Sequence, residues 1–216
     1  MSLREEIEKL NQQFMGMVSA EVAETMGAAA AELKQSGIDQ RALKVGDRAP
    51  DFNLPELAGG KLSLTGLLAD GSVVISFYRG AWCPYCNLEM QALQAALPAI
   101  EAAGGRLIAI APETAAYAGE IRDKGNLTFP LLQDKDNAVS RRYGLVFTLP
   151  ETLRPIYEAF GIDLADSQDN DAFELPMPAT YIVGTDGIIA HAFVDADYTK
   201  RMEPADIVEA LQGFSS

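Results

Sequence analysis

The run "SVVISFY", residues 72–78, carries Val73, Ile75 and Phe77 on one of its alternating faces and Val74 and Tyr78, alternating with two small serines, on the other, apolar enough for a central strand. A strand of that kind must be covered from two sides, so it belongs at the centre of a sheet with helices packed against both surfaces. The rest of the pattern agrees. "KLSL" (61–64), "RLIAIAP" (106–112) and "FPLLQD" (129–134) read as further strands. Residues 84–103 and 114–124 have helical spacing, and Pro98 is expected to bend or interrupt the first of these helices. "NAVSRRYG" (137–144) predicts a short helix ended by glycine. "ATYIVGTDGIIAHAFV" (179–194) predicts two strands joined through Asp186-Gly187, and a last helix starts after Met202 with Pro204 in its first turn. This alternation predicts an α/β fold with a mixed central β-sheet flanked by helices.

Residues 3–35 read as one helical arm, because Leu3, Ile7, Leu10, Phe14, Val18, Val22, Met26 and Leu33 recur at helical spacing. The expected organisation is a helical extension over 1–42 followed by a single domain over 43–216. The apolar stripe of the arm needs a cover. It points either to an oligomerisation or docking element, such as a homodimer arm, or to packing across the chain's own domain. Residues 149–175 are irregular, acidic and rich in turn formers, and read as an insertion.

A net charge of −14 argues against nucleic acid or an anionic membrane as partners. No window reaches the ~18 consecutive apolar residues of a membrane span. The charged start "MSLREEIEKLNQQF" does not read as a secretory signal, so a cytoplasmic location is expected.

The chain has two cysteines, Cys83 and Cys86, placed just after the central strand in "SFYRGAWCPYC". Structural zinc wants four ligands, and beyond this pair the chain offers only His191, which sits mid-strand where a structural role is expected. A Cys-His-Asp hydrolase would need the same histidine. Two inert core cysteines are the other alternative. Their position argues instead for redox chemistry. The first turn of a helix presents unsatisfied N–H groups that favour a thiolate, and Pro84 suits that turn because it has no N–H to leave unpaired. The three-residue spacing lets the two sulfurs meet, and Arg79 adds positive charge nearby.

Several stretches resemble a known family. "LKVGDRAPDFNLPELAGGKLSL", "FPLLQDKDNAVSRRYGL" and "TYIVGTDGII", in that order, resemble landmarks of the alkyl hydroperoxide reductase and thiol-specific antioxidant family, the peroxiredoxins, over about Leu43 to Phe214. The resemblance implies a thioredoxin-like fold, while "WCPYC" itself resembles the active site of thioredoxins and glutaredoxins. In the peroxiredoxin register, counted from Phe77, Cys86 takes the peroxidatic position. Arg79 then replaces the motif's proline, Cys83 its threonine, and Pro178 the family's later arginine. Pro178 instead resembles the cis-proline that thioredoxins set opposite their cysteine pair.

The resemblance implies a thiol-dependent peroxidase, with a hydroperoxide substrate and a thioredoxin- or glutathione-type reductant. A thiol–disulfide oxidoreductase acting on disulfides, or a non-enzymatic redox-sensing module on the same fold, are the alternatives. Cys83 and Cys86 are the expected catalytic residues, and Arg79, Trp82 and Pro178 the expected substrate-binding ones, with no metal and no cofactor. The thioredoxin register makes Cys83 the nucleophile, first at the helix start and the more exposed of the two. The peroxiredoxin register gives the peroxide to Cys86.

Overall fold

A computed structural model describes residues 1–214. The chain opens with α1 (Leu3–Met17), α2 (Ala20–Gln35) and α3 (Ile38–Arg41). A hairpin of β1 (Asn53–Pro55) and β2 (Lys61–Ser63) follows, then α4 (Leu64–Leu68), β3 (Ser72–Phe77), α5 (Pro84–Ala102), β4 (Gly105–Ala111) and α6 (Ala115–Gly125). Next come β5 (Leu131–Gln133), α7 (Ala138–Arg142), β6 (Val146–Thr148), α8 (Arg154–Ala159), α9 (Leu164–Gln168) and β7 (Glu174–Pro176). The chain returns through β8 (Ala179–Val183) and β9 (Ile189–Val194) and closes with α10 (Pro204–Phe214).

The main sheet has the order β5-β4-β3-β8-β9, with β3 at its centre. β3 runs parallel to β4 and antiparallel to β8, so the sheet is mixed. The two faces of β3 are both used, as its composition requires. Val73, Ile75 and Phe77 belong to one buried cluster with Leu64 of α4 and Val139 of α7. Val74 and Tyr78 belong to the other, with Met90, Leu93 and Ile100 of α5 and Ile207 of α10. Because β3 and β4 are parallel, their carboxyl ends share one edge of the sheet, and both cysteines lie just beyond it.

The expected single arm over 3–35 is two helices. Val18 and Ser19 are extended, and the Ser19 side chain accepts from the Val22 N–H at 3.3 Å. Serine offers its own hydroxyl to an unsatisfied amide, so it starts a new helix more readily than it continues an old one. The break lets each half find its own cover. Leu3 and Ile7 of α1 are buried against the α5 cluster, and the Leu3 and Arg4 N–H groups donate to the Glu203 carboxylate at 3.2 and 2.7 Å. Ala29 of α2, with Met26 beside it, packs against Leu149, Leu153 and Tyr157. The stripe is thus covered within the chain in part: Leu3 and Ile7 are buried, while Leu10, Phe14, Val18, Val22, Met26 and Leu33 stay half-buried. α5 continues through Pro98, so of the two expected effects, bending or interruption, the helix is not interrupted. Residues 149–175 hold α8, α9 and β7, and β7 pairs with β6 in a separate two-stranded sheet.

Packing of the arm on its own domain predicts a stability effect. Ile7→Ala should lower the free energy of unfolding in urea by about 2–4 kcal/mol, the range for truncating a buried aliphatic side chain. Met15→Ala on the same helix, where Met15 is 62% exposed, should stay within about 0.5 kcal/mol of the parent.

Candidate active site

Cys83 is the N-cap of α5, and Cys86 lies in the first turn one residue beyond Tyr85. The segment between β3 and α5 is held by a carboxylate. Glu113, two residues past the end of β4, accepts from the Tyr78 hydroxyl at 2.8 Å and the Ala81 N–H at 2.7 Å. Asn87 adds a second clamp by donating to the Ala81 and Cys83 carbonyls. Gly80 is required for space: a Cβ there would sit 2.4 Å from Nε1 of Trp82 and 3.1 Å from the Glu113 carboxylate.

Both thiols are free and fully buried, at 0% exposure. The expectation that Cys83 is the more exposed therefore fails. Tyr157, carried by the 149–175 insertion, packs on Trp82, the residue before Cys83, at 5.5 Å. Exposure does not distinguish the two sulfurs; charge does. Arg79 donates from Nη2 to the Cys83 sulfur at 3.2 Å. Its guanidinium stacks over Tyr198 at 4.2 Å and Trp82 at 4.9 Å, and donates from Nη1 to the Tyr157 hydroxyl at 3.2 Å. Arg201, from the segment after β9, donates to the Cys86 sulfur at 3.5 Å and pairs with the buried Glu89 carboxylate at 2.7 Å.

Burial alone would raise the Cys83 thiol. A hydrogen bond from Cys86, with Arg79 and Arg201 nearby, outweighs that cost and holds Cys83 well below the ordinary thiol range. Burial and the neighbouring Cys83 push Cys86 the other way, well above it. These opposite shifts favour the thiolate at Cys83 and the protonated thiol at Cys86. Such a pair can attack an electrophilic sulfur or oxygen through Cys83 and close a disulfide through Cys86.

Of the residues expected from the sequence, Cys83, Cys86, Arg79 and Trp82 come together here. Pro178 lies immediately before Ala179, which pairs with Phe77 at the end of β3, so the sheet sets it beside the strand that leads into the site. Its expected cis geometry is absent, because no peptide bond among the described residues is cis. The Met177 N–H donates to the Leu145 carbonyl at 2.8 Å while Ala179 is already paired in the sheet, and extended trans backbone carries the chain from one to the other. His191 pairs across from Ile182 within β9, a strand residue.

The sequence reading missed Arg201, Glu89, Glu113, Tyr157 and Tyr198. Glu89 carried a signal, since it lies three residues after Cys86 on a helix face that goes on to Met90 and Leu93. A carboxylate on a buried face needs a partner, and the partner is Arg201. Arg201 itself, in "YTKRMEP", stands in a polar stretch that reads as an ordinary surface turn.

The model of the AhpC/TSA family matches residues 45–192. Peroxiredoxin Bcp of Escherichia coli is 30% identical over 103 residues, 48% of this chain and 65% of that protein. The thiol-disulfide oxidoreductase ResA of Geobacillus thermodenitrificans is 32% identical over 115 residues, 53% of this chain and 64% of that protein. The chain thus spans somewhat less than two thirds of the length of these relatives. The crystal structure of Peroxidoxin BcpB from Mycobacterium tuberculosis superposes with a TM-score of 0.63 at 20% identity, covering 81% of this chain and 99% of that one. The similarity to that structure is one of fold.

The charge arrangement predicts two measurable effects. Arg79→Gln removes the cation at the Cys83 sulfur, so the pH midpoint for alkylation of Cys83 by iodoacetamide should rise by about 1–2 pH units. An unchanged midpoint would show that Arg79 is not what holds the thiolate. Glu113 is pushed up to about 7, mainly by burial, against an ordinary value of 4.5. Between those values the folded chain keeps a proton that the unfolded chain has released. Stability from this group is therefore greatest at low pH, falls as pH rises from 4.5 to about 7, and is flat above. The fall should amount to roughly 3 kcal/mol, and Glu113→Gln should abolish it in urea titrations across that window.

Proposed function

We propose that this chain, which belongs to the AhpC/TSA family, is a thiol-dependent peroxidase in which Cys83 attacks the hydroperoxide and Cys86 resolves the product. The observation that carries this reading is the 3.2 Å contact from Arg79 to the Cys83 sulfur, with Cys86, whose thiol is pushed up by burial and by Cys83, three residues further along the same helix start. The Cys83 thiolate attacks the terminal peroxide oxygen. An S–O bond forms, the O–O bond breaks, and the leaving oxygen takes a proton from solvent and departs as an alcohol, or as water from hydrogen peroxide, leaving a sulfenic acid on Cys83. The Cys86 thiol then attacks the sulfenic sulfur, an S–S bond forms, and the hydroxyl leaves with the thiol proton as water. Two thiols are oxidised, and one peroxide is reduced to alcohol and water.

The role of Arg79 is to stabilise the thiolate and to offer N–H donors to the oxygens as charge shifts onto them. Regeneration needs two electrons from an external dithiol or from two monothiols, of thioredoxin or glutathione type. A reducing compartment such as the cytoplasm supplies both.

Disulfide exchange is the second reading, and the similarity to ResA favours it. Complete burial of both sulfurs weighs against it, because a peroxide can reach a covered sulfur far more easily than a protein disulfide can. Stopped-flow mixing of the reduced protein with hydrogen peroxide and with oxidised glutathione, side by side, separates the two. Peroxide should react faster by a wide margin, and the reverse order would favour the oxidoreductase.

Serine replacements test the assignment of roles. Cys83→Ser should slow peroxide consumption by a hundredfold or more, about the scale of losing an essential nucleophile. Cys86→Ser should complete one turnover and leave a sulfenic acid on Cys83 that dimedone traps. A sulfenic acid found on Cys86 of the Cys83→Ser protein, formed at the parent's rate, would reverse the roles.

A further inference from the structure

We infer that α2 is a wall of the substrate site, and that its Met26, Ala29 and Ala30 set how large an uncharged apolar tail can accompany a hydroperoxide to Arg79. The inference rests on the peroxidase reading and goes beyond it, since α2 lies outside the residues that match the family. A cavity of about 90 Å³ lies between α2 and the 147–157 segment. Met26, Ala29, Ala30 and Leu33 line one side, with Leu149 and Leu153 among the residues opposite.

The cavity has a polar end. Arg79 lines it, and Arg79 is the residue that donates to the Cys83 sulfur. Arg79 is 4% exposed, and its Nε is buried without a hydrogen-bond partner among the described residues. A buried guanidinium N–H left unsatisfied is costly, and a ligand oxygen would remove that cost. The hydroperoxide group is the part of the substrate that carries such oxygens, and the Cys83 sulfur it must meet is bound to the same guanidinium.

The remaining lining sets the class of tail. It is mostly aliphatic and aromatic, and apart from Arg79 the one charged residue on it is the exposed Glu32. A carboxylate-bearing tail would meet Glu32 at like charge, whereas a neutral hydrocarbon tail gains from burial. Two alanines in succession on α2 leave the room that a larger side chain would fill. The cavity therefore favours a compact neutral alkyl group over a long or anionic one.

The test compares kcat/KM for tert-butyl hydroperoxide with that for hydrogen peroxide, in the full chain and in two variants. Ala30→Phe puts a ring into the cavity from a half-buried helix position. It should lower the tert-butyl to hydrogen peroxide ratio about tenfold, the scale of discrimination that a few carbons in an apolar pocket provide. Met26→Ala enlarges the cavity and should raise the ratio for cumene hydroperoxide over hydrogen peroxide several-fold, so the inference does not hang on one substitution. A wild-type chain that consumes peroxides while both ratios stay within about twofold in the variants would overturn the role of α2 and leave the peroxidase reading standing. A wild-type chain inert to every peroxide would overturn that reading and this inference with it.

Discussion

The contact between the Arg79 guanidinium and the Cys83 sulfur is the interaction on which the rest of the site depends. A thiolate with no exposure to water is expensive unless a positive charge and hydrogen bonds replace the lost hydration. Arg79 supplies both, and it is a buried cation with its own demands. Two aromatic faces, Trp82 and Tyr198, and the Tyr157 hydroxyl surround it. The second arginine is balanced in the same way, with Arg201 facing Glu89 on one side and the Cys86 sulfur on the other. Two cations, one carboxylate and one thiolate make a buried group close to neutral, which is the condition under which charges survive in a protein interior.

That balance draws on parts of the chain far apart in sequence. Arg79 and the cysteines come from the end of β3 and the start of α5. Glu113 comes from beyond β4, and the parallel pairing of β3 with β4 brings it to the same edge. Tyr157 is delivered by the insertion, and Tyr198 with Arg201 by the loop after β9. The insertion is thus part of the site, and α2 supports it from outside by packing against Leu149, Leu153 and Tyr157.

The sheet was legible because β3 leaves little choice about its surroundings: Val73, Ile75 and Phe77 point one way, Val74 and Tyr78 the other, and the one polar side chain between the latter two, Ser76, is small and buried. The cysteine pair was legible for a local reason, since strand, glycine turn, cysteine and Pro84 occur within a dozen residues. What could not be read was whatever depends on long-range placement. Val18-Ser19 gave no hint in the helical periodicity that the arm would divide, because the apolar stripe continues across it. The decisive factor was the Ser19 hydroxyl, together with two separate surfaces for the halves to cover. Relative exposure of the cysteines was misjudged for the same kind of reason. At a bare helix start the first residue is the open one, but here Cys83 is fully buried in the cluster against which Trp82 and Tyr198 pack. Glu89 was within reach of a sequence argument, whereas nothing local in "YTKRMEP" marks Arg201.

The departures from the peroxiredoxin register have a single electrostatic explanation. That register sets a proline at 79, a threonine at 83 and an arginine at 178, and here the arginine stands at 79, with Pro178 in the family arginine's place. The positive charge has not been lost from the site. It enters from the strand end through Arg79, four residues before Cys83, and from the β9–α10 loop through Arg201. A cation at 79 lies nearer in sequence to the first cysteine than to the second, and its side chain reaches the Cys83 sulfur while its backbone N–H faces Cys86 at 3.5 Å. On the proposed assignment Cys86, at the family's peroxidatic position, is the resolving thiol, and Cys83, at the motif's threonine, is the nucleophile, the sulfur that the Arg79 side chain reaches.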